Sequence, residues 1–270
     1  MDSKMRVAVL GGGNIGLAIV NGLVNKNLFR PENIFITRKQ TQFLKEYEKK
    51  GFHVTSDNIK AVANSELIII AVQPRQLNDL LSQIAPHLDG KKHKLISIVS
   101  GASIKAIKEI AGEKISVVRA MPNTAIAIGE SMTCIAAENK NDKSLIAAKK
   151  IFDSVGKTLV IDESLMIPAT ALCACGIAFF LRAIRAASQG GIEIGFHSEE
   201  ALLMAAQTAK GAASLLVDKN NHPESEVDKV TTPRGCTIIG LNQMEHNGFS
   251  SALIKGITTS AEKAARLYEG

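Results

Sequence analysis

The segment from Met5 to Val24 places a glycine-rich turn between an apolar run and an amphipathic run. The turn carries Gly11, Gly13 and Gly16 at the spacing G-x-G-x-x-G. In a strand–turn–helix unit the first glycine permits a tight turn, the second lets the main chain approach a pyrophosphate, and the third lets the helix pack closely on the strand. Free N–H groups at the helix start would face the phosphates. We therefore predict a dinucleotide site, the alternative being a turn that merely connects strand to helix.

The end of the second predicted strand distinguishes NAD from NADP, because an acidic residue there would bind the ribose 2′-hydroxyl. This strand ends instead in Thr37, Arg38 and Lys39. A hydroxyl and two cations suit a 2′-phosphate. We therefore predict NADPH as the cofactor, with NADH as the alternative. The other interpretation of Arg38 and Lys39 is that they are solvated charges at a strand end.

Strand-like and helix-like segments alternate over the first 160 residues, a pattern typical of a parallel sheet covered by helices. After Asp162 the pattern changes to long runs rich in alanine, leucine and isoleucine. These runs predict helices at 164–189, 198–217 and 237–263. We read 218–226 as an exposed connection between helices. The predicted domains are therefore 1–162 and 163–270, and the apolar helices predict at least a dimer.

Composition excludes other function classes. The net charge of +6 is diffuse, and the chain has 4% aromatic residues and no Trp, so we expect no nucleic-acid partner. The four cysteines, which include Cys173 and Cys175, form no C-x-x-C pair, and the histidines show no ligand spacing. We predict no metal site. A metal or redox pair at Cys173 and Cys175 is the alternative to two small buried residues.

The apolar patterning bears on where the protein resides. We identify no basic segment followed by an apolar one at the N-terminus, and we expect no apolar run of eighteen residues. Widely spread cysteines suit a reducing compartment. We therefore expect a cytoplasmic protein without a membrane-spanning segment.

A second anion-binding turn is predicted shortly before the last helix. Thr232 followed by Pro233 is typical of an N-cap and first-turn pair, or of a sharp turn that leads into a helix. The amides of Gly235, Cys236 and Thr237 would suit a carboxylate, and the Thr237 hydroxyl can exchange a proton beside it. An ordinary capped helix start is the alternative.

Several segments along the chain together resemble the pyrroline-5-carboxylate reductases, which carry out the last step of proline synthesis. They are Gly11–Gly16, Ala71–Pro74, Val118–Thr124, Val230–Thr237 and Glu245–Phe249. The resemblance spans the whole chain. It implies an N-terminal Rossmann-type, doubly wound α/β domain that binds NADPH or NADH, and an all-helical C-terminal domain that forms an interlocked dimer and, in larger assemblies, a ring of dimers. The implied reaction is hydride transfer to the C=N bond of 1-pyrroline-5-carboxylate to give L-proline.

The resemblance also implies site residues. The implied cofactor-binding residues are Gly11, Gly13, Asn14, Ile15, Gly16, Thr37, Arg38, Asn58, Ala71, Gln73 and Pro74, with Met121, Pro122 and Asn123 at the nicotinamide end. The turn at Gly235, Cys236 and Thr237 would hold the substrate carboxylate. Thr237 would act near the ring nitrogen as the catalytic residue, positioning it or relaying a proton through water.

Three departures from the family pattern bear on the substrate. Cys173-Ala174-Cys175 stands where the family has Ser-Gly-Ser, Gln73 stands for a lysine, and Arg234 stands for the first of two glycines. The Arg234 guanidinium would either clamp the substrate carboxylate or fill the pocket. The alternatives are therefore a related NADPH-dependent reductase of another cyclic imine or carbonyl substrate, or an NADPH-binding homologue without turnover.

Overall fold

The computed structural model describes residues 5–219 and 221–268 of the chain. The chain divides into two compact units, one of Met1–Cys175 with Ser260–Gly270 and the other of Gly176–Thr259. The first unit contains the sheet and the second is helical. The domain boundary placed at residue 162 stays a prediction.

An eight-stranded sheet forms the centre of the first unit. Its strands are β1 (Val7–Leu10), β2 (Ile34–Thr37), β3 (His53–Thr55), β4 (Leu67–Ile70), β5 (Lys94–Ser97), β6 (Ser116–Met121), β7 (Ser131–Ala136) and β8 (Gly156–Val160). Their order is β3-β2-β1-β4-β5-β6-β7-β8. The first six strands are parallel, β7 pairs antiparallel with β6, and β8 pairs parallel with β7. The predicted doubly wound α/β sheet is thus confirmed, with two reversed strands at one edge that the alternation of segments did not indicate.

Helices flank the sheet and make up the second unit. In the described residues they are α1 (Asn14–Asn25), α2 (Lys45–Lys49), α3 (Asn58–Ala63), α4 (Leu77–Ile84), α5 (Ile104–Ala111), α6 (Lys143–Asp153), α7 (Met166–Ala169), α8 (Gly176–Glu193), α9 (Ser198–Lys219), α10 (Pro223–Lys229), α11 (Cys236–His246) and α12 (Phe249–Ala264). A π-helical turn, Thr170–Cys175, joins α7 to α8.

The sheet is buried on both faces, because helices cover both. All four residues of β1 are buried. Val7 and Val9 belong to the core layer that contains α1 and α6, whereas Ala8 and Leu10 belong to the layer that contains α3, α4 and α5. Successive side chains of a strand point to opposite faces, so a strand buried on both sides must be apolar throughout. The continuous apolar run Leu67–Ile70 of β4 follows the same rule.

Two elements of the helical part differ from the prediction. The single helix expected at 237–263 is two helices, because Gly248 has φ +74° between α11 and α12, and a glycine in the left-handed region ends a helix. The connection expected at 218–226 contains the start of α10, where Pro223 lies in the first turn and the His222 side chain accepts the Glu224 N–H. Residue 220 of that connection lies outside the described residues.

One helical segment is unusually apolar. In the described part of the chain, Glu163–Glu193 has the length and composition to cross a membrane, with a mean hydropathy of 2.0 over its most apolar window. The expectation that no apolar run reaches eighteen residues is therefore wrong. Length and composition alone do not separate a membrane span from a helix that another protein surface covers.

The second unit leaves large apolar side chains in contact with solvent. Among its described residues only Gly176, Ser188 and Ala201 are buried. Phe180 and Leu203 are 60% and 70% exposed. Large apolar side chains exposed in this number favour an interaction surface.

His93 is a buried titratable group at the start of the β5 segment. It is 3% exposed, and its Nδ1 accepts a hydrogen bond of 2.8 Å from the Asp89 N–H. Burial, assisted by the charge of Lys92, lowers the pKa of His93 below its usual value. The folded protein therefore holds this imidazole neutral.

We expect this group to make the stability of the first unit pH-dependent. The unfolded chain binds a proton on His93 at higher pH than the folded chain does. The contribution of His93 to the free energy of unfolding is therefore fully present above about pH 6.5. Below that pH the free energy of unfolding decreases by up to about 1.4 kcal/mol per pH unit. His93→Asn keeps an acceptor near Nδ1 but does not titrate. Urea unfolding at about pH 7.5 and about pH 5.5 should show a smaller loss in His93→Asn than in the wild type. Equal losses would contradict the expectation.

Candidate active site

The glycine-rich turn connects β1 to α1 where the strand order reverses, which is where open α/β sheets bind ligands. Gly11 has φ +119°, and a Cβ there would overlap the carbonyl oxygen of Ala71. A Cβ on Gly16 would overlap the carbonyl oxygen of Gly11. A Cβ on Gly13 would meet no atom within 4 Å. The fold itself therefore requires Gly11 and Gly16, whereas Gly13 faces the open space that a pyrophosphate needs at a helix N-terminus.

The end of β2 lies against this turn. The N–H groups of Gly11 and Gly12 donate to the Thr37 carbonyl oxygen at 3.2 and 2.7 Å. Arg38 Nη1 donates to the Gly12 carbonyl oxygen at 2.9 Å, and its guanidinium carbon lies 4.6 Å from the centre of the Phe43 ring. These contacts hold the cation beside the glycine turn rather than in solvent. The structure thus brings the predicted 2′-phosphate residues to the predicted pyrophosphate residues.

The end of β4 forms the opposite side of the turn. The Ala71 N–H donates to the Leu10 carbonyl oxygen at 2.8 Å, which continues the β1–β4 hydrogen bonds up to the glycines. Gln73 and Pro74 then begin a short 3₁₀ turn, in which the Gln73 N–H donates to Gln76 Oε1 at 3.2 Å. The predicted cofactor residues Ala71, Gln73 and Pro74 therefore all lie at the carboxyl edge of the sheet.

Three further predicted residues lie at helix starts. Asn14 and Ile15 are the first two residues of α1, whose first N–H groups have no partner within the helix. Asn58 begins α3, and its side-chain amide donates to Gln83 Oε1 at 2.9 Å. The Asn58 side chain is therefore engaged by α4, which spans Leu77–Ile84.

The predicted nicotinamide residues follow the end of β6. Met121 is 4% exposed. Asn123 Oδ1 accepts the Ala125 N–H at 3.1 Å, and Asn123 Nδ2 donates to the Cys173 carbonyl oxygen at 3.2 Å. These two bonds hold the Asn123 side chain between the end of the sheet and the π-helical turn.

Sequence reasoning missed an ion pair in the first unit between a buried arginine and a half-buried glutamate. Arg119 is 4% exposed, and its Nη1 lies 3.2 Å from Glu163 Oε1, which also accepts the Ile104 N–H at 2.6 Å. Burial lowers the pKa of Arg119, and the hydrogen bond to Glu163 opposes this effect. The pair attaches the segment before α7 to β6 and to the start of α5. Its signal in the sequence is an arginine inside an apolar strand, because a buried charge needs a partner.

Cys173 and Cys175, which the sequence predicts as small buried residues, are both half-buried. Cys173 has Cys134 of β7 as its near neighbour, with 3.8 Å between the two sulfur atoms. No group of three or more potential metal ligands occurs among the described residues.

The predicted substrate turn lies in the second unit. Gly235 is the N-cap of α11, and its N–H donates to the Thr232 carbonyl oxygen at 2.9 Å. The expectation that Thr232 caps the helix is therefore wrong, and the alternative of a sharp turn before the helix is confirmed. Because the Gly235 N–H is already engaged, the first N–H groups available to an anion are those of Cys236 and Thr237.

Arg234 adopts an unusual backbone conformation in this turn. Its φ is +59°, in the left-handed region, which costs a non-glycine residue about 1–2 kcal/mol. A glycine, the residue that the resemblance puts at this position, adopts the same φ without this cost. Strain of this kind is typical of ligand-binding turns.

Known proteins match both parts of the chain. The family model for pyrroline-5-carboxylate reductase dimerisation matches residues 163–267, and the model for NADP oxidoreductase, coenzyme F420-dependent, matches residues 6–101. Pyrroline-5-carboxylate reductases 1 and 2 of Dictyostelium discoideum are 53% and 46% identical over 97% and 98% of this chain. The chain spans 50% of the length of the first relative and 94% of the second.

Solved structures agree with the family models. The structure of Plasmodium falciparum pyrroline carboxylate reductase with NADP bound is 26% identical, with a TM-score of 0.88 and 99% of each chain covered. That of a pyrroline-5-carboxylate reductase from Coxiella burnetii is 27% identical, with a TM-score of 0.87, and covers 99% of this chain and 100% of that one. Fold and glycine turn define a dinucleotide-binding oxidoreductase of Rossmann type. The chain belongs to the pyrroline-5-carboxylate reductase family, so the predicted family, enzyme class and cofactor are confirmed.

The contrast between Gly13 and Gly16 provides a test of the cofactor site. We expect Gly13→Ala to leave the free energy of unfolding nearly unchanged and to weaken NADPH binding about tenfold, which is about 1.4 kcal/mol. Gly16→Ala forces a methyl group against backbone and should lower the free energy of unfolding by about 1–3 kcal/mol. Urea unfolding and NADPH titration of both variants check this. Unchanged NADPH affinity in Gly13→Ala would contradict the assignment.

Proposed function

We propose that this chain reduces 1-pyrroline-5-carboxylate to L-proline with NADPH. The observation that carries the proposal is the open space at Gly13 with Arg38 held beside it, in a chain 46% identical to a pyrroline-5-carboxylate reductase over nearly its full length. The related structure that contains NADP supports the same cofactor. The individual site residues are part of the proposal.

The first unit binds the cofactor in this proposal. The N–H groups at the start of α1, including those of Asn14 and Ile15, face the pyrophosphate, and Thr37 with Arg38 receives the 2′-phosphate. The segment of Met121, Pro122 and Asn123 supports the nicotinamide end. NADPH, when bound, supplies the hydride for the C=N carbon.

The second unit contributes the substrate turn. The N–H groups of Cys236 and Thr237 bind the substrate carboxylate, and the Arg234 guanidinium adds a second contact to it. The Thr237 hydroxyl holds the ring nitrogen or relays a proton to it through water. A protonated imine accepts hydride readily, so orientation supplies much of the rate. This agrees with a site that lacks an obvious acid–base pair of side chains.

The assembly and the location belong to the same proposal. The match to a dimerisation family and the exposed apolar faces of α8 and α9 support a homodimer in which a second copy covers those faces. A ring of dimers, a cytoplasmic location and the lack of nucleic-acid and membrane partners stay predictions.

Steady-state NADPH oxidation tests the reaction. The protein is assayed with 1-pyrroline-5-carboxylate, with the six-membered cyclic imine acid and with unsubstituted 1-pyrroline. We expect the highest kcat/KM with the first, because only it has both the five-membered ring and the carboxylate. A preference for another imine or a carbonyl compound would favour the related reductase. Tight NADPH binding without oxidation of any imine would favour a homologue without turnover.

The cofactor preference should depend on Arg38 more than on Lys39. Loss of a charge-assisted contact of about 1.5–3 kcal/mol should reduce the ratio of kcat/KM for NADPH to that for NADH by about 10- to 100-fold in Arg38→Ala. Lys39 is the exposed neighbour of Arg38, so Lys39→Ala is the matched control. It should change the ratio of kcat/KM for NADPH to that for NADH by less than about threefold. An unchanged ratio in Arg38→Ala would contradict the assignment of the 2′-phosphate contact.

Thr237 should contribute by positioning rather than as an essential base. We expect Thr237→Ala to lower kcat for proline formation by about tenfold, less than the 10²–10⁴-fold typical of a lost general acid or base. Thr237→Ser keeps the hydroxyl and should retain most of the activity. Full activity in Thr237→Ala, measured as proline formed per enzyme, would show that the role is wrong.

A further inference from the structure

Two thiols of the first unit lie side by side outside the hydride-transfer chemistry. Cys134 is on β7 and is 4% exposed, while Cys173 is in the π-helical turn and is half-buried. Their sulfur atoms are 3.8 Å apart, within hydrogen-bond distance for sulfur. Cys173 stands where the family pattern has a serine, so nothing in imine reduction accounts for this thiol.

The surroundings of Cys173 favour a reactive thiol. The hydrogen bond from the Cys134 thiol lowers the pKa of the Cys173 thiol to about 7. The same contact, together with burial, raises the pKa of the Cys134 thiol. Cys173 therefore ionises more readily than Cys134, and the thiolate is the nucleophilic form. A nucleophilic sulfur thus lies next to a protonated one that can resolve it.

Other pairings of Cys173 are disfavoured by geometry. Cys175 is two residues further along the helical turn, and residues two apart on a helix do not face each other. Cys134 and Cys173, in contrast, lie on different elements that are already in contact through their sulfur atoms.

The thiol pair lies against the predicted nicotinamide end. Cys134 is the cross-strand partner of Met121 in the β6–β7 pairing. The Cys173 carbonyl oxygen accepts the Asn123 side-chain amide at 3.2 Å. The two cysteines therefore contact both ends of the Met121–Asn123 segment.

We propose that Cys134 and Cys173 are a modification site at which peroxide forms a reversible disulfide that lowers reductase activity. The Cys173 thiolate attacks one peroxide oxygen, the O–O bond breaks and hydroxide departs. Cys173 is then a sulfenic acid. The Cys134 sulfur then attacks the Cys173 sulfur, the S–O bond breaks, and the departing hydroxide takes the Cys134 proton as water. Two thiols lose two electrons to peroxide, which is reduced to two waters.

The disulfide requires a local movement. Its sulfur atoms lie about 2.0 Å apart, so the two residues must approach by a further ~1.8 Å. The irregular π-helical turn is the element that can yield, because its hydrogen bonding is less regular than that of the sheet. We expect Asn123 to move with the Cys173 carbonyl oxygen. The effect on activity rests on the proposed function, whereas the formation of the bond does not.

Peroxide treatment of the reduced protein tests the site. After treatment with hydrogen peroxide and alkylation of free thiols, peptide mass mapping should find a Cys134–Cys173 link, with free thiols falling from four to two. Displacement of the segment by more than 1 Å should lower kcat/KM for NADPH-dependent imine reduction by up to about 10²-fold. Dithiothreitol should restore the activity.

Matched variants identify the pair. Cys134→Ala and Cys173→Ala should form no such link, and each should keep the activity of its own reduced form after peroxide. Cys175→Ala should form the link and lose activity as the wild type does. A Cys173–Cys175 link, or oxidation of Cys173 without any link, overturns the proposal, and so does a Cys134–Cys173 link that leaves activity unchanged. If the reduced protein reduces no imine, the proposed function fails, and the peptide map still decides whether the site exists.

Discussion

Backbone contact at the β1–α1 turn sets the geometry of the nucleotide-binding unit. Gly11 lies against the Ala71 carbonyl and Gly16 against the Gly11 carbonyl, so a side chain at either position would separate β1, β4 and α1. The same close approach leaves the N-terminus of α1 uncovered at Gly13. The packing of the strands and the binding of the cofactor thus both depend on the close backbone contacts at Gly11 and Gly16. A substitution that breaks these contacts should weaken both.

Two charged side chains, Arg38 and Arg234, then suit the backbone of the two turns to anionic ligands. Arg38 is attached to the turn through the Gly12 carbonyl, which places a cation at the end of β2 without an acidic competitor. Arg234 occupies a left-handed position where a glycine is the unstrained choice. Arg38 is a cofactor contact that the family resemblance also implies, whereas Arg234 is a departure from the family pattern. Strain at Arg234 is tolerable because it is confined to one residue of an exposed turn.

Local patterns made much of the first unit predictable. The glycine spacing and the alternation of strand-like and helix-like segments each act within a few residues, and the structure contains the predicted turn and the predicted sheet. The misses have long-range causes. The reversal of β7, the Arg119–Glu163 pair and the Cys134–Cys173 contact join residues 13 to 44 positions apart. The break at Gly248 was missed because a single glycine does not reveal its φ in the sequence.

The sequence by itself determined the class of fold and the kind of cofactor, because periodicity, glycine spacing and charge type depend on neighbouring residues. The family followed from the resemblance of several segments along the chain to the pyrroline-5-carboxylate reductases. Only the tertiary structure decided which polar groups are available and which are engaged. It showed that the Gly235 N–H and the Asn58 amide already have partners, and that Cys173 faces Cys134 rather than Cys175. The contacts of Asn58 and Cys173 form between segments that are distant along the chain. Their positions in the sequence do not indicate that they will meet, because the packing of the folded chain brings them together.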